Sequence, residues 1–227
     1  CDGGRVVNAV NACVVGIGSI ARRHIRNLRT VCSERGIELR VDAVRRSAGA
    51  DRKDDELGLG KVYTGFDEID SEYDAVFITN PTEYHIESLK NTMKYGRNFF
   101  IEKPVSSVNQ IEEAENLRLK EDAVYYVACP LRYNAVIRYV KENVDFGKVI
   151  SIRSISSSYL PEWRPGTDYR QTYSASKKLG GGVSIDLIHE WDYLTFLTGM
   201  PRKVFHLCGK KSALEIDSED YAVYIAE

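Results

Sequence analysis

Apolar residues in the first half of the chain fall into short runs separated by stretches of helical spacing. The short runs, which predict buried strands, cover residues 12–16, 39–44, 74–79, 98–101 and 124–128. Apolar positions three and four residues apart predict helices over residues 17–31, 83–95 and 109–120. Strands that alternate with helices indicate a parallel sheet covered on both faces, which is the doubly wound Rossmann architecture.

The pattern changes near Asp145. Residues 149–158 alternate between apolar and polar side chains, which predicts an antiparallel strand buried on one face. The polar segment 161–178 is typical of a loop over a binding site. Three glycines then lead into a predicted helix that reaches about Leu197, and residues 220–226 predict a further strand.

These patterns predict an α/β chain of two domains. A dinucleotide-binding Rossmann domain is expected over residues 1–130, followed by a catalytic and substrate-binding α/β domain over residues 131–227. The second domain would have an open antiparallel sheet. A sheet that begins at residues 149–158 needs more strands than the remaining sequence supplies. The second domain is therefore expected to be incomplete in this chain.

Composition narrows the class of protein. Of the 227 residues, 43% are hydrophobic and 28% are charged, as in ordinary soluble globular proteins. A net charge of -2 favours neither nucleic acid nor an acidic membrane as a partner. No apolar run approaches the roughly 20 residues of a membrane span. The 5 cysteines include no CxxC pair, which disfavours a disulfide framework and structural zinc. We expect a cytoplasmic protein without a bound metal.

A glycine turn follows the first predicted strand. Gly16 and Gly18 permit a tight turn and close approach of a ligand to the backbone, and Ala21 permits close packing of helix on strand. Ser19 and Ile20 lie near the N-terminus of the following helix, whose unpaired amides attract phosphate. This context predicts a dinucleotide site, although a glycine turn in an unrelated α/β domain would have the same residues.

The end of the second strand indicates which dinucleotide is preferred. An acidic residue there would accept hydrogen bonds from the ribose hydroxyls of NAD. This chain has Arg45, Arg46 and Ser47 instead, and Asp42 lies earlier, within the strand. Arginine pairs with a 2′-phosphate and stacks on adenine. NADP is therefore the predicted cofactor and NAD the alternative; two solvated arginines are the other interpretation.

Candidate catalytic residues occur in two motifs. Lys103 lies in Glu102-Lys103-Pro104, directly after a predicted strand, where its ammonium could hydrogen-bond a reacting hydroxyl. Asp186 and His189 are three residues apart on a predicted helix, and histidine is suited to acid–base chemistry near neutral pH. Taken alone, the first motif favours an ordinary surface lysine at a strand end, and the second is equally compatible with a solvated helix face.

Four motifs in fixed order, GIGSIARRHIRNL, TNPTEYH, EKP and GGGVSIDLIHEWD, resemble those of the Gfo/Idh/MocA oxidoreductase family. The resemblance implies hydride transfer between NAD(P) and a sugar, polyol or sugar derivative. It also implies catalytic roles for Lys103, Asp186 and His189. The coenzyme-contacting residues that it implies, besides the glycine turn, are Asn80, Pro81, His85, Glu102 and Lys103. The family often spaces its aspartate and histidine four apart, whereas position 190 here is glutamate.

The predicted function is therefore an NAD(P)-dependent dehydrogenase acting on a secondary alcohol of a sugar, sugar acid or sugar nucleotide. The polar loop offers Arg164, Tyr169, Arg170 and Tyr173 as substrate contacts. Two alternatives stay open: an NAD-assisted glycoside hydrolase, and a non-catalytic dinucleotide-binding sensor on the same fold. The resemblance also implies a homo-oligomer for the full-length protein.

Overall fold

The computed structural model describes residues 9–45 and 56–227 and divides into two compact units. The first unit ends at Ala128 and the second begins at Cys129. None of the helices in the two described ranges has both the length and the apolar character that a membrane span requires.

A parallel sheet of six strands, counted over the described residues, forms the centre of the first unit. The strands are β1 (Ala9–Val15), β2 (Glu38–Val44), β3 (Val62–Tyr63), β4 (Ala75–Ile78), β5 (Phe99–Ile101) and β6 (Tyr125–Val127). The connecting helices are α1 (Ser19–Glu34), α2 (His85–Thr92) and α3 (Ile111–Glu115). In the strand order β3-β2-β1-β4-β5-β6, the chain adds β2 and β3 on one side of β1 and then adds β4, β5 and β6 on the other side. The predicted doubly wound sheet is therefore confirmed.

The strand ends are aligned at one edge of this sheet. Val15 lies opposite both Val44 and Ile78, and Ile78 lies opposite Ile101 on its other side. Because the strands are parallel, the residues that follow these positions emerge at the same edge. The residues brought together there are Gly16, Arg45, Thr79 and Glu102.

Apolar clusters cover both faces of the sheet. Along β1, Cys13 and Val15 belong to one cluster and Val14 belongs to the other. The Val14 cluster contains Ala21 and Ile25 of α1, which are both buried. Burial on both faces explains why the strands are continuous apolar runs instead of alternating ones.

The second unit combines helices with a two-stranded antiparallel sheet. Its elements are α4 (Ala135–Asn143), α5 (Val183–Asp186), α6 (Ile188–Thr198), β7 (Val204–Gly209) and β8 (Tyr221–Ala226). The side chain of Asn134 caps α4 by accepting hydrogen bonds from Val136 N and Ile137 N. Trp191 of α6 packs edge-on against Tyr224 of β8, with ring centroids 4.8 Å apart. The predicted antiparallel sheet is therefore present, although β7 was not predicted.

The predicted strand at residues 149–158 is wrong. These residues have no regular strand structure, and the side chains of Ile150 and Ile155 are 101% and 92% exposed. In the part of the chain that the structure describes, β7 and β8 pair only with each other. Residues 149–158 therefore have no neighbouring strand to satisfy their backbone hydrogen bonds.

Two predicted helices also differ from the observed ones. The single helix expected up to Leu197 is broken at Leu187, where φ is -96° and ψ is 24°. The amide of Glu190 donates to Leu187 O, three residues back, and α5 and α6 are separate helices. The helix expected over residues 109–120 is only α3, and the Asn116 side chain donates to Glu112 O at its end.

Candidate active site

The turn after β1 contains two glycines with different surroundings. The fold requires one of them, and the other faces open space. Gly16 has φ of +85°, and a Cβ there would lie 2.8 Å from the Cα of Asn80. A Cβ on Gly18 would meet nothing within 4 Å. Gly16 is therefore required for the approach of two backbone segments, while Gly18 faces space in which a ligand can lie.

The first turn of α1 presents backbone amides to that space. Gly18 is the N-cap residue, without a side-chain cap and without an acidic residue in the first turn. The helical ladder begins with Arg22 N donating to Gly18 O at 3.1 Å. The amides of Ser19 and Ile20 precede this ladder, so they and the positive end of the helix dipole suit a diphosphate.

The end of β2 is basic, and its acidic residue serves the fold. Arg45 is half-buried and follows β2 directly, whereas Arg46 and Ser47 lie outside the described residues. Asp42 is 1% exposed and accepts hydrogen bonds from Lys61 N at 2.7 Å and from the Tyr73 hydroxyl at 3.0 Å. Its carboxylate is therefore occupied inside the unit and is not presented to a ribose.

The turn after β4 lies against the glycine turn. The Thr79 hydroxyl is 2.9 Å from both Val15 O and Gly16 O. Asn80 Nδ2 donates to Ser88 Oγ at 2.7 Å, but Asn80 Oδ1 is a buried acceptor that no donor of the described residues reaches. A ligand donor at this point would satisfy it, which fits the nicotinamide-side role expected for this loop. Pro81 is exposed at its start.

His85 lies inside the first unit, behind these turns. It is 1% exposed, with Nδ1 2.8 Å from Pro104 O and Nε2 2.8 Å from Asn80 O. Burial lowers the pKa of this imidazole, although its hydrogen bonds to the backbone act in the opposite direction. A direct contact with coenzyme is expected from the resemblance; the geometry instead connects His85 to the coenzyme site through Asn80 and Pro104.

Glu102 and Lys103 continue from β5 at the same sheet edge. Glu102 N donates to Ile78 O at 2.9 Å, which fixes the strand end. His24 Nε2 of α1 lies 2.6 Å from Glu102 Oε1, and Lys103 N donates to Glu102 Oε2 at 3.2 Å. Sequence reasoning missed His24 because it lies among arginines on an amphipathic helix. Its only signal is its place near the start of the helix that follows the glycine turn.

In the second unit, Asp186 ends α5 and His189 lies near the start of α6. Asp186 is buried and is hydrogen-bonded to Tyr173. Burial, and next the charge of Asp186, raise the pKa of Tyr173 to about 12, so the phenol is the donor in this pair. Glu190 accepts hydrogen bonds from Ser154 Oγ, at 2.8 Å, and from the Tyr193 hydroxyl. His189 is half-buried.

The polar loop holds its predicted substrate residues in two groups. Arg164 lies over the Tyr173 ring, 5.3 Å from its centroid, and so belongs with Asp186. Arg170 is paired with Asp168 at 2.9 Å and Glu215 at 2.7 Å, and Glu215 N donates to the Tyr169 hydroxyl. The charge of Arg170 is thus compensated by one carboxylate of the loop and by another from the connection between β7 and β8.

The glycine triplet before α5 lies where segments of the chain that are distant in sequence approach each other closely. A Cβ on Gly181 would lie 2.2 Å from Tyr173 O, and one on Gly182 would lie 2.5 Å from the carboxyl carbon of Glu219. Gly181 is therefore required for the close approach of two backbone segments, and the φ of +124° at Gly182 favours glycine there.

Comparison with known proteins identifies the family of this chain. Residues 10–129 match the Gfo/Idh/MocA profile, described as an oxidoreductase family with an NAD-binding Rossmann fold. The chain belongs to the Gfo/Idh/MocA family. The matched residues cover more than half of the chain and include the whole six-stranded sheet except the first residue of β1.

Relatives of this Gfo/Idh/MocA chain include inositol dehydrogenases. It is 26% identical over 193 residues to myo-inositol 2-dehydrogenase of Thermotoga maritima, covering 82% of this chain and 54% of the relative. The crystal structure of myo-inositol 2-dehydrogenase from Lactobacillus plantarum superposes with a TM-score of 0.75 at 25% identity, covering 97% of this chain and 66% of that one. The chain thus spans about half the length of the curated relatives it matches.

A second solved structure shares the fold. The WlbA dehydrogenase of Bordetella pertussis, in complex with NADH and UDP-GlcNAcA, has a TM-score of 0.71 at 19% identity. It covers 96% of this chain and 67% of the other. The residues of the first unit fit a dinucleotide independently of these relatives, because the open space at Gly18, the amides of α1 and the orphan acceptor of Asn80 lie at one sheet edge.

Proposed function

We propose that this chain belongs to an NAD(P)-dependent dehydrogenase that transfers hydride between the nicotinamide and a secondary alcohol of a sugar, sugar acid or sugar nucleotide. The observation that carries this proposal is that Gly18, Asn80 and Lys103 follow neighbouring parallel strands at one sheet edge. A diphosphate cradle, an orphan acceptor and an amine are thereby available to one ligand. The inositol dehydrogenases among its relatives support a polyol-like substrate.

The residue roles follow from their chemistry. The Lys103 ammonium would donate to the reacting oxygen and stabilise the developing alkoxide. His189 would take the hydroxyl proton, since a histidine pKa lies near neutrality. Asp186, held by Tyr173, would orient the substrate or His189. The nicotinamide coenzyme supplies the hydride acceptor when bound.

NADP is the coenzyme we propose, with NAD as the alternative. Arg45 follows β2 and is succeeded in the sequence by Arg46 and Ser47, and these residues would pair with a 2′-phosphate. The occupation of Asp42 by Lys61 N and Tyr73 removes the nearest carboxylate that could bind ribose hydroxyls. The NADH in the WlbA structure is the observation that favours NAD instead.

We propose that side chains of the polar loop in the second unit bind the substrate. Arg164 and Tyr173 are grouped with Asp186 and would contact the substrate most directly, whereas Tyr169 and Arg170 lie between them in the loop sequence and pair with Glu215. An arginine in this position suits an anionic sugar, and WlbA was crystallised with UDP-GlcNAcA. We further propose that the full-length protein is a homo-oligomer in the cytoplasm.

The test combines coenzyme titration with turnover. NADPH and NADH are titrated by the change in their fluorescence, and then myo-inositol and UDP-sugar acids are assayed with the preferred coenzyme. We expect tighter binding of NADPH, and for Lys103→Ala a turnover at least about a hundredfold lower while the coenzyme still binds. Lys90→Ala, which removes an exposed ion pair with Glu113, is the matched control.

The other outcomes separate the alternatives. Near-normal turnover of Lys103→Ala would refute the role of the lysine. Sugar release without net change in NADPH would favour the glycoside hydrolase. Tight coenzyme binding without any turnover, together with ligand-dependent binding of a protein partner, would favour the sensor.

A further inference from the structure

The residues on either side of Lys103 are each held by a histidine. His24 contacts the side chain of Glu102, and His85 contacts the backbone carbonyl of Pro104. The two histidines come from different elements of the first unit, one from α1 and one from the start of α2. Lys103 therefore occupies a turn that is restrained from both ends.

The contact of His24 connects the coenzyme helix to the lysine. His24 Nε2 lies 2.6 Å from Glu102 Oε1, and the two side chains are only 18% and 13% exposed. The imidazole packs edge-on against Phe100, with ring centroids 4.9 Å apart, which restricts its orientation. The other oxygen of Glu102 accepts from Lys103 N at 3.2 Å. A continuous series of contacts thus runs from α1 to the backbone of Lys103.

The contact of His85 connects the loop after β4 to the same turn. Its two ring nitrogens are 2.8 Å from Asn80 O and 2.8 Å from Pro104 O. A neutral imidazole donates to one of these carbonyls at a time, and the imidazolium donates to both. Because the ring is buried, water cannot replace it as a partner for either carbonyl.

We propose that His24 and His85 are positioning residues that fix the Lys103 turn relative to the glycine turn and to Asn80. The importance of Lys103 rests on the proposed function, whereas the restraint itself does not. A reacting group that is held in place avoids the loss of rate that accompanies small displacements. Neither histidine needs to touch substrate or coenzyme for this role.

Asparagine and glutamine substitutions distinguish the hydrogen bonds made by the two ring nitrogens of a histidine. The amide nitrogen of asparagine lies near the position of Nδ1, and that of glutamine lies near the position of Nε2. His24 uses Nε2 and His85 uses Nδ1 toward the Lys103 turn, so the retaining variants are His24→Gln and His85→Asn. The loosening variants are the opposite pair, His24→Asn and His85→Gln. General loss of stability cannot produce this crossed pattern.

Amide hydrogen exchange of Lys103, measured by NMR on the whole chain without coenzyme, reports the restraint. Each loosening variant should exchange about tenfold faster than the wild type, the effect of losing one buried hydrogen bond, and each retaining variant within about threefold. If a position-24 variant does not fold, the comparison of His85→Asn with His85→Gln tests the proposal by the same measurement.

Equal exchange in the asparagine and glutamine variants, or the reverse pattern, would overturn the proposal. The measurement needs neither coenzyme nor turnover, so its result is independent of the proposed function. If the crossed pattern appears and Lys103→Ala nevertheless retains turnover, the restraint stands and the proposed function fails.

Discussion

At the scale of single residues, Asp42 illustrates how a carboxylate close to a ligand site can belong to the fold. Its side chain is 1% exposed and accepts from Lys61 N and from the Tyr73 hydroxyl. Desolvation raises the pKa of Tyr73 well above its ordinary value, so the phenol remains a donor to the carboxylate. Charge-assisted hydrogen bonds of this kind connect β2 to the segments around residues 61 and 73.

Asp42→Asn should therefore destabilise the protein without changing its coenzyme preference. The amide keeps one acceptor oxygen but directs an NH₂ group at existing donors, and we expect a loss of about 1–3 kcal/mol in the free energy of unfolding. Urea denaturation measures the loss, and titration with NADPH and NADH measures the preference. A variant of normal stability whose preference shifts would show that Asp42 serves the ribose instead.

The sequence identifies residues whose role depends on nearby positions, and it misses those whose role depends on distant ones. The positions of Gly16, Gly18 and Lys103 at the ends of strands could be predicted because a turn after a strand is a local feature. The meeting of His24 with Glu102 joins residues 78 positions apart, and periodicity contains no information about such a contact. The proposed catalytic roles of Lys103 and His189 stay predictions.

At the scale of elements, the segment before α5 is defined by how closely the chain approaches itself. Gly181 faces the carbonyl oxygens of Tyr173 and Ser174, and Ser218 Oγ donates to Ser174 O at 2.7 Å. The sequence predicts a helix after the glycines, but it cannot show the break at Leu187. That break separates Asp186 from His189, which the predicted single helix placed on one face.

Gly181→Ala should destabilise the second unit, because its Cβ would lie 2.2 Å from a backbone oxygen that cannot move alone. We expect a loss of about 2 kcal/mol or more in the free energy of unfolding. Gly209→Ala is the matched control, since a Cβ there meets nothing within 4 Å, and its effect should stay within about 0.5 kcal/mol. Equal melting curves for the two variants would contradict the packing described here.

At the scale of the whole molecule, the two units differ in how much of them could be predicted. The parallel sheet follows from apolar runs that are buried on both faces, and it is confirmed. The strand predicted at residues 149–158 fails because alternation shows that a segment can pair without showing that a partner strand is present.

The proposed function assigns residues of both units to one reaction, which gives a prediction about their combined removal. Lys103→Ala and His189→Ala should each lower turnover at least about a hundredfold. The double variant should lose little beyond the more severe single variant, because residues that act as a unit are strongly non-additive. Losses that multiply, measured as kcat with saturating coenzyme, would contradict a shared step.

The central claim is that a dinucleotide rests on the amides at the start of α1, and Gly18 tests it most directly. Gly18 has φ of -96° and ψ of -170°, and a Cβ there meets no atom within 4 Å, so Gly18→Ala should melt like the wild type. The measurement is the Kd of NADPH by fluorescence titration. We predict that Gly18→Ala weakens binding at least about tenfold, or about 1.4 kcal/mol, since the methyl group occupies the space of the diphosphate. An unchanged Kd in this well-folded variant would contradict the claim.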